Sequence, residues 1–167
     1  KEGDTAAVRR FIDAGTDVNT RSKWNNTPLH QACFHGHVDL VRLLIEAGAD
    51  VNARGSSDYT PLHQACAHNR PEAARLLIEA GAKPATSNRF GEIPLHWACF
   101  YGCADTVRLL FEAGVDVNVR NEWGSTPLDR ALNLKTDDPH REEILDLFRE
   151  YAPETVMETF CTRGPGR

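Results

Sequence analysis

Thr27-Pro28-Leu29-His30-Gln31-Ala32-Cys33 decides how this chain is read. Its first four residues return as Thr60-Pro61-Leu62-His63, as Ile93-Pro94-Leu95-His96 and as Thr126-Pro127-Leu128-Asp129, with the prolines 33 residues apart. A second register keeps the same period: Gly15, Gly48, Gly81 and Gly114. A third is Asp17-Val18-Asn19, Asp50-Val51-Asn52 and Asp116-Val117-Asn118, with Lys83-Pro84-Ala85 as a degenerate copy. Three motifs sharing one period make chance agreement negligible and define a repeat architecture.

Cap chemistry places the helices inside each period. Thr27 is a good N-cap, and Pro28 falls at the first helical position, where its missing N–H costs nothing. An inner helix is therefore expected from about Pro28 to His35, closed by Gly36 in the left-handed conformation. An outer helix is expected from about Val38 to Ala47, with Val38, Val41, Leu44 and Ile45 at helical spacing. The stretch from Ala49 to Tyr59 has no helical pattern and reads as a hairpin-like connection. A two-helix unit of this size cannot bury its apolar face alone, so neighbours must stack.

The period and the TPLHxA element resemble ankyrin repeats over residues 3–152. The resemblance implies an all-α solenoid of stacked helix pairs with β-hairpin-like fingers. Finger tips and inner helices would then line a concave face, and the expected role is protein binding without catalysis. The units are a partial repeat at 3–21, complete repeats at 22–54, 55–87 and 88–120, a capping repeat at 121–152 and a tail at 153–167. In the capping repeat Leu132 to Pro139 replaces the short turn, an insertion of about five residues. Its outer helix, from about His140 to Tyr151, is strongly charged. In the tail, Val156, Met157 and Phe160 are expected to pack back on the cap, and 163–167 to form a flexible end.

Composition narrows the function classes. The 167 residues carry 19 Lys and Arg against 24 Asp and Glu, a formal net charge of −5. That balance disfavours nucleic acid, which asks for a cationic face. No apolar run is long enough to span a membrane. Five cysteines fit reduced thiols, hence a cytoplasmic or nuclear setting, better than a disulfide framework. A chain that starts at Lys1 is expected to be a piece of something longer, and the domain then serves alternatively to target or regulate a larger protein. The exposed partial repeat, with Val8, Phe11 and Ile12, is a candidate for self-association.

Chemistry-bearing motifs are few. His-x-x-Cys occurs at His30/Cys33, His63/Cys66 and His96/Cys99, a pair of metal-type ligands one helical turn apart. Equivalent cysteines one repeat apart are too distant to share a zinc ion, because packed helices lie about 8–10 Å apart. The cysteines therefore read as small buried residues, and by the resemblance the histidines are structural. Cys103 stands at a turn next to a helix start and is expected to be exposed, with a conceivable reactive thiol. Cys161 lies in the tail. No phosphate loop, nucleophile elbow or metalloprotease motif is present, so no enzyme, cofactor or metal is expected.

The variable positions are more informative. Projected on ankyrin-like geometry, the concave face collects Lys23, Trp24, Asn26, Phe34, His35, Tyr59, His68, Arg89, Phe90, Glu92, Trp97, Phe100, Tyr101, Glu122 and Trp123. Trp24, Phe90 and Trp123 share one finger position, and Phe34 and Phe100 share one helix position. The core column is already filled by Leu29, Ala32, Cys33 and their equivalents. The aromatics are thus expected to form a groove for a protein or peptide partner, rimmed by Lys23, Arg89, Glu92 and Glu122. The competing reading is that they fold onto adjacent fingers and stiffen the stack.

Overall fold

The computed structural model describes residues 5–157. Helices follow where the caps place them: α1 (Thr5–Asp13), α2 (Pro28–His35), α3 (Val38–Glu46), α4 (Pro61–Ala67), α5 (Pro71–Glu79), α6 (Pro94–Phe100), α7 (Ala104–Glu112), α8 (Pro127–Leu132) and α9 (Pro139–Tyr151). Proline opens α2, α4, α6 and α8 in turn. Gly36 ends α2 at φ 73°, a conformation in which a side chain would clash with its own backbone. The inner helices α2, α4, α6 and α8 stack in one row, and α1, α3, α5, α7 and α9 stack behind them.

The core runs along the seam between the rows. Leu29, Leu62, Leu95 and Leu128 form one buried column, and Cys33, Cys66 and Cys99 another. Leu44, Leu77 and Leu110 close it from the outer row. Burying each such leucine contributes about 2 kcal/mol. In α9, Ile144, Leu145, Leu147 and Phe148 are buried while Glu142, Glu143, Asp146, Arg149 and Glu150 face outward, as a cap requires, and Arg141 is half-buried. Val8 and Ile12 pack partly on the core, whereas Phe11 is exposed. Beyond α9, Val156 packs against the core and the Thr155 hydroxyl donates to Asn118 Oδ1 at 3.1 Å. Met157 instead points outward. Phe160, Cys161 and 163–167 lie outside the described residues.

Hydrogen bonds between repeats use the recurrent polar residues. The Thr27 N–H donates to His30 Nδ1 at 3.2 Å, which fixes the ring proton on Nε2. That proton points at the Tyr59 carbonyl of the next repeat, 2.9 Å away. His63 reaches the Glu92 carbonyl at 3.0 Å and His96 the Ser125 carbonyl at 3.1 Å in the same way. Burial pushes all three imidazole pKa values down, that of His63 to about 4. Both ring nitrogens of each histidine are thus engaged, and among the described residues no three His, Cys, Asp or Glu side chains converge as metal ligands. Asn19 and Asn52 do more than shape their own turns. Their amides donate to the Gly48 and Gly81 carbonyls and accept from the Asp50 and Lys83 N–H groups.

The fingers are tighter than a hairpin. Each is closed at its base by a backbone bond, Ser22 N–H to Asn26 O, Gly55 N–H to Tyr59 O, Asn88 N–H to Glu92 O and Asn121 N–H to Ser125 O, at 2.8–3.0 Å, with a tighter turn bond inside, such as Gly124 N–H to Asn121 O at 2.9 Å. The last three fingers share a single backbone bond with each neighbour, Arg89 N–H to Ser57 O at 3.1 Å and Glu122 N–H to Phe90 O at 3.0 Å, whereas the first and second meet through Asn26 Oδ1, which accepts from the Ser56 N–H. One bond per neighbour is not a ladder, so no strand forms among the described residues.

Candidate functional site: an aromatic pocket between the last two fingers

Side chains inside the fingers aim the aromatics. Asn88 Oδ1 accepts from the N–H groups of Phe90 and Glu92, at 2.9 and 3.0 Å. Asn121 Oδ1 does the same for Trp123 and Ser125, at 3.1 and 2.9 Å. These Asx turns stand Phe90 and Trp123 up on adjacent tips, where their rings stack at 5.7 Å with an interplanar angle of 27°. The second finger has Gly55 at the equivalent place and Ser57 at the aromatic position, with Ser57 and Asp58 at positive φ. The aromatic row is therefore interrupted there.

Behind the two tips, α6 contributes Trp97 and Phe100. Trp97 meets Tyr59 edge-on at 5.0 Å and stacks on Tyr101 at 5.6 Å. Together Tyr59, Phe90, Glu92, His96, Trp97, Phe100, Trp123 and Arg130 line an open cavity of about 220 Å³. Its walls are mostly ring faces, yet Phe100 remains 47% and Trp123 63% exposed. Burial pushes the Tyr59 hydroxyl up to about 12, so it stays a neutral phenol at ordinary pH.

An ion pair braces one side. Arg130 Nη2 donates to Glu92 Oε1, which also accepts from Asn121 Nδ2 at 3.1 Å. The guanidinium sits 5.6 Å from the Phe100 ring centre and 5.8 Å from that of Trp123. Glu92 is thus not the exposed rim residue expected from sequence. Its side chain is 5% exposed, drawn inward because Arg130 and Asn121 satisfy the carboxylate there.

Other expected residues distribute unevenly. Arg89 lies over Phe90, 4.7 Å from the ring centre, and Glu122 is exposed on the Trp123 finger. Lys23 lies 5.2 Å over Trp24 on the first finger, which does not line the cavity. Phe34, His35 and His68 make a separate cluster, with ring centres 4.8 and 4.1 Å from Phe34. Asn26 is turned away from partners: its Oδ1 accepts from the Ser56 N–H at 3.2 Å. Cys103 is a correction. It is 5% exposed, its Sγ faces the Ala67 carbonyl of the preceding repeat at 3.8 Å, and burial pushes its thiol up to about 11. A thiol held protonated this way is a poor nucleophile. Its burial exceeds what a turn position suggested because the stacked repeat covers it.

Sequence reasoning missed Arg130 and treated His96 as structural only. Arg130 carried a signal, since it continues the column of Gln31, Gln64 and Trp97 at the same 33-residue spacing. No helix among the described residues is long and apolar enough to cross a membrane. Two family models match, one described as ankyrin repeats (3 copies) over residues 1–88 and one described as ankyrin repeats (many copies) over residues 77–131. Ankyrin repeats are in general protein-interaction modules and typically non-enzymatic. The period, the stacked helix pairs and these matches agree: the chain belongs to the ankyrin-repeat family.

Proposed function

We propose that this domain is a binding module that holds a protein or peptide partner on its concave face, with the aromatic pocket between the last two fingers as the anchoring site. The observation that carries this reading is the pocket itself. Rings that could have been buried stand open to solvent around a cavity of about 220 Å³, held by hydrogen-bonded finger turns. Exposed aromatic surface of this kind is costly in water and is typical of binding hot spots. The fixed turns keep the ordering cost of binding low. Lys23, Trp24, Phe34, His35 and His68 extend the same face toward the first finger as secondary contacts. Tyr101 acts indirectly, by stacking behind Trp97. Stacking between Phe90 and Trp123 supports part of the stiffening role as well, and the two roles coexist in one pair.

The test uses Phe100→Ala with Trp123→Ala, both well exposed and so expected to leave the fold intact. A partner recovered from the native host by the wild-type domain should bind this variant at least about 30-fold more weakly, at unchanged helicity, the loss expected for one hot-spot residue. Equal binding by the variant removes the pocket from the partner site.

A further inference from the structure

The geometry points to an acidic partner: an extended segment that seats one uncharged apolar side chain in the pocket and lays Asp or Glu side chains along the fingers beside it. This rests on the pocket being the partner site and adds the chemistry of what enters it.

Two observations fix the charge. The first is how charge is distributed between the two faces of the stack. The fingers and inner helices, taken as residues 20–36, 53–69, 86–102 and 119–135, carry seven Lys and Arg against four Asp and Glu. The other described residues carry 9 against 17. Two of those acids pair with two of the cations, Asp58 with Arg54 at 3.9 Å and Glu92 with Arg130, which leaves Arg21, Lys23, Arg89, Arg120 and Lys135 against Glu122 and Asp129, the latter accepting from the Thr126 N–H at 2.9 Å. The binding face of this acidic protein is therefore cationic, and an acidic segment is drawn to it while a basic one is drawn to the rear.

The second observation excludes a cation as the occupant. Aromatic pockets attract ammonium groups through the ring faces. Here Lys23 covers Trp24, Arg89 covers Phe90, and Arg130 lies against both Phe100 and Trp123. The one carboxylate in the wall is taken by Arg130 and Asn121. A ligand ammonium would have to displace a tethered guanidinium, whereas an apolar side chain needs only the space that is open. Spacing follows too. Arg89 is adjacent to the anchor, and Lys23 is two repeats away, roughly 16–20 Å at helix-packing distance. An extended chain covers that in about five or six residues.

Selection of a phage-displayed random dodecapeptide library on the immobilised domain tests this directly. Enriched peptides should carry a Leu, Ile, Met, Phe or Trp with Asp or Glu in several-fold excess over the starting library. Arg89→Glu with Lys23→Glu should abolish the acid excess and keep the apolar anchor. Phe100→Ala with Trp123→Ala should abolish the anchor. Enrichment of Lys and Arg, or of anchors with no charge preference, overturns the proposal and leaves the pocket as a partner site. Absence of any enrichment that depends on Phe100 and Trp123 overturns it together with the pocket reading. Far-UV circular dichroism confirms that each variant is folded.

Discussion

Lowering the pH should loosen this stack through its histidines, and His63 gives the magnitude. The ring is fully buried, accepts from the Thr60 N–H at 3.1 Å and donates to the Glu92 carbonyl at 3.0 Å. Its pKa is pushed down to about 4 from an ordinary value of 6.5, chiefly by burial. Above pH 6.5 the ring is neutral folded and unfolded, and it adds no pH dependence. Below pH 6.5 the unfolded chain takes up a proton that the folded ring refuses, so stability falls until the pH reaches the folded value. One pKa unit is worth about 1.4 kcal/mol, which makes the loss about 2 kcal/mol at pH 5 and about 3 kcal/mol at pH 4. Carboxylates titrate over the lower part of this range, so the measurement must be differential. His63→Gln keeps a side chain that can serve at the third position of a helix cap but does not titrate. Urea unfolding of both proteins at pH 7.5 and pH 5 gives four stabilities. Gln shortens the strut to Glu92 and should cost stability at pH 7.5. By pH 5 that cost should shrink by about 2 kcal/mol. An equal difference at both pH values would refute the account of His63 as a buried neutral strut.

The remaining predictions concern packing and reactivity. Arg130→Met should destabilise by about 3 kcal/mol or more, because it leaves the buried Glu92 carboxylate without its counter-charge; adding Glu92→Gln should recover part of that in thermal melts. Gly55→Ala should cost about 1–3 kcal/mol although φ is −91°, because a Cβ there would lie 2.2 Å from Asn26 Oδ1 and 2.9 Å from His30 Nε2. Adding Asn26→Ala should relieve part of the Gly55→Ala loss, and strict additivity of the two would argue against a clash. In a Cys161→Ser background, Cys33, Cys66, Cys99 and Cys103 should resist a disulfide-exchange reagent at pH 8 until urea unfolds the protein. Rapid labelling of Cys103 in native buffer would contradict its burial.

The fold was legible because its signals are local. Threonine before proline starts a helix, glycine past its end stops it, and a 33-residue period repeats both choices. The inner-helix bounds 28–35 are those of α2, and α9 begins one residue earlier than its charge pattern suggested. The site was legible only as a set of variable positions on one face. Which of them meet depends on how one finger leans on the next. Asn88 and Asn121 make the same turn and bring Phe90 to Trp123, whereas Gly55 makes a different one and leaves Trp24 apart. Glu92 and Arg130 pair across 38 residues, beyond any local pattern, and burial follows from that pairing rather than from residue type. Cys103 erred for a related reason: a turn exposed within its own repeat is roofed by Ala67 and its neighbours in another.

The histidine struts end on backbone oxygens, at Tyr59, Glu92 and Ser125, and not on side chains. Every residue type has that oxygen. Exchanging the side chain at any of these three positions leaves the strut's acceptor in place. The strut is therefore indifferent to the side chain its acceptor residue carries, while at Glu92 the side chain braces the stack separately through Arg130. A chain wired this way can change the side chains at Tyr59 and Ser125 and keep the struts that end there.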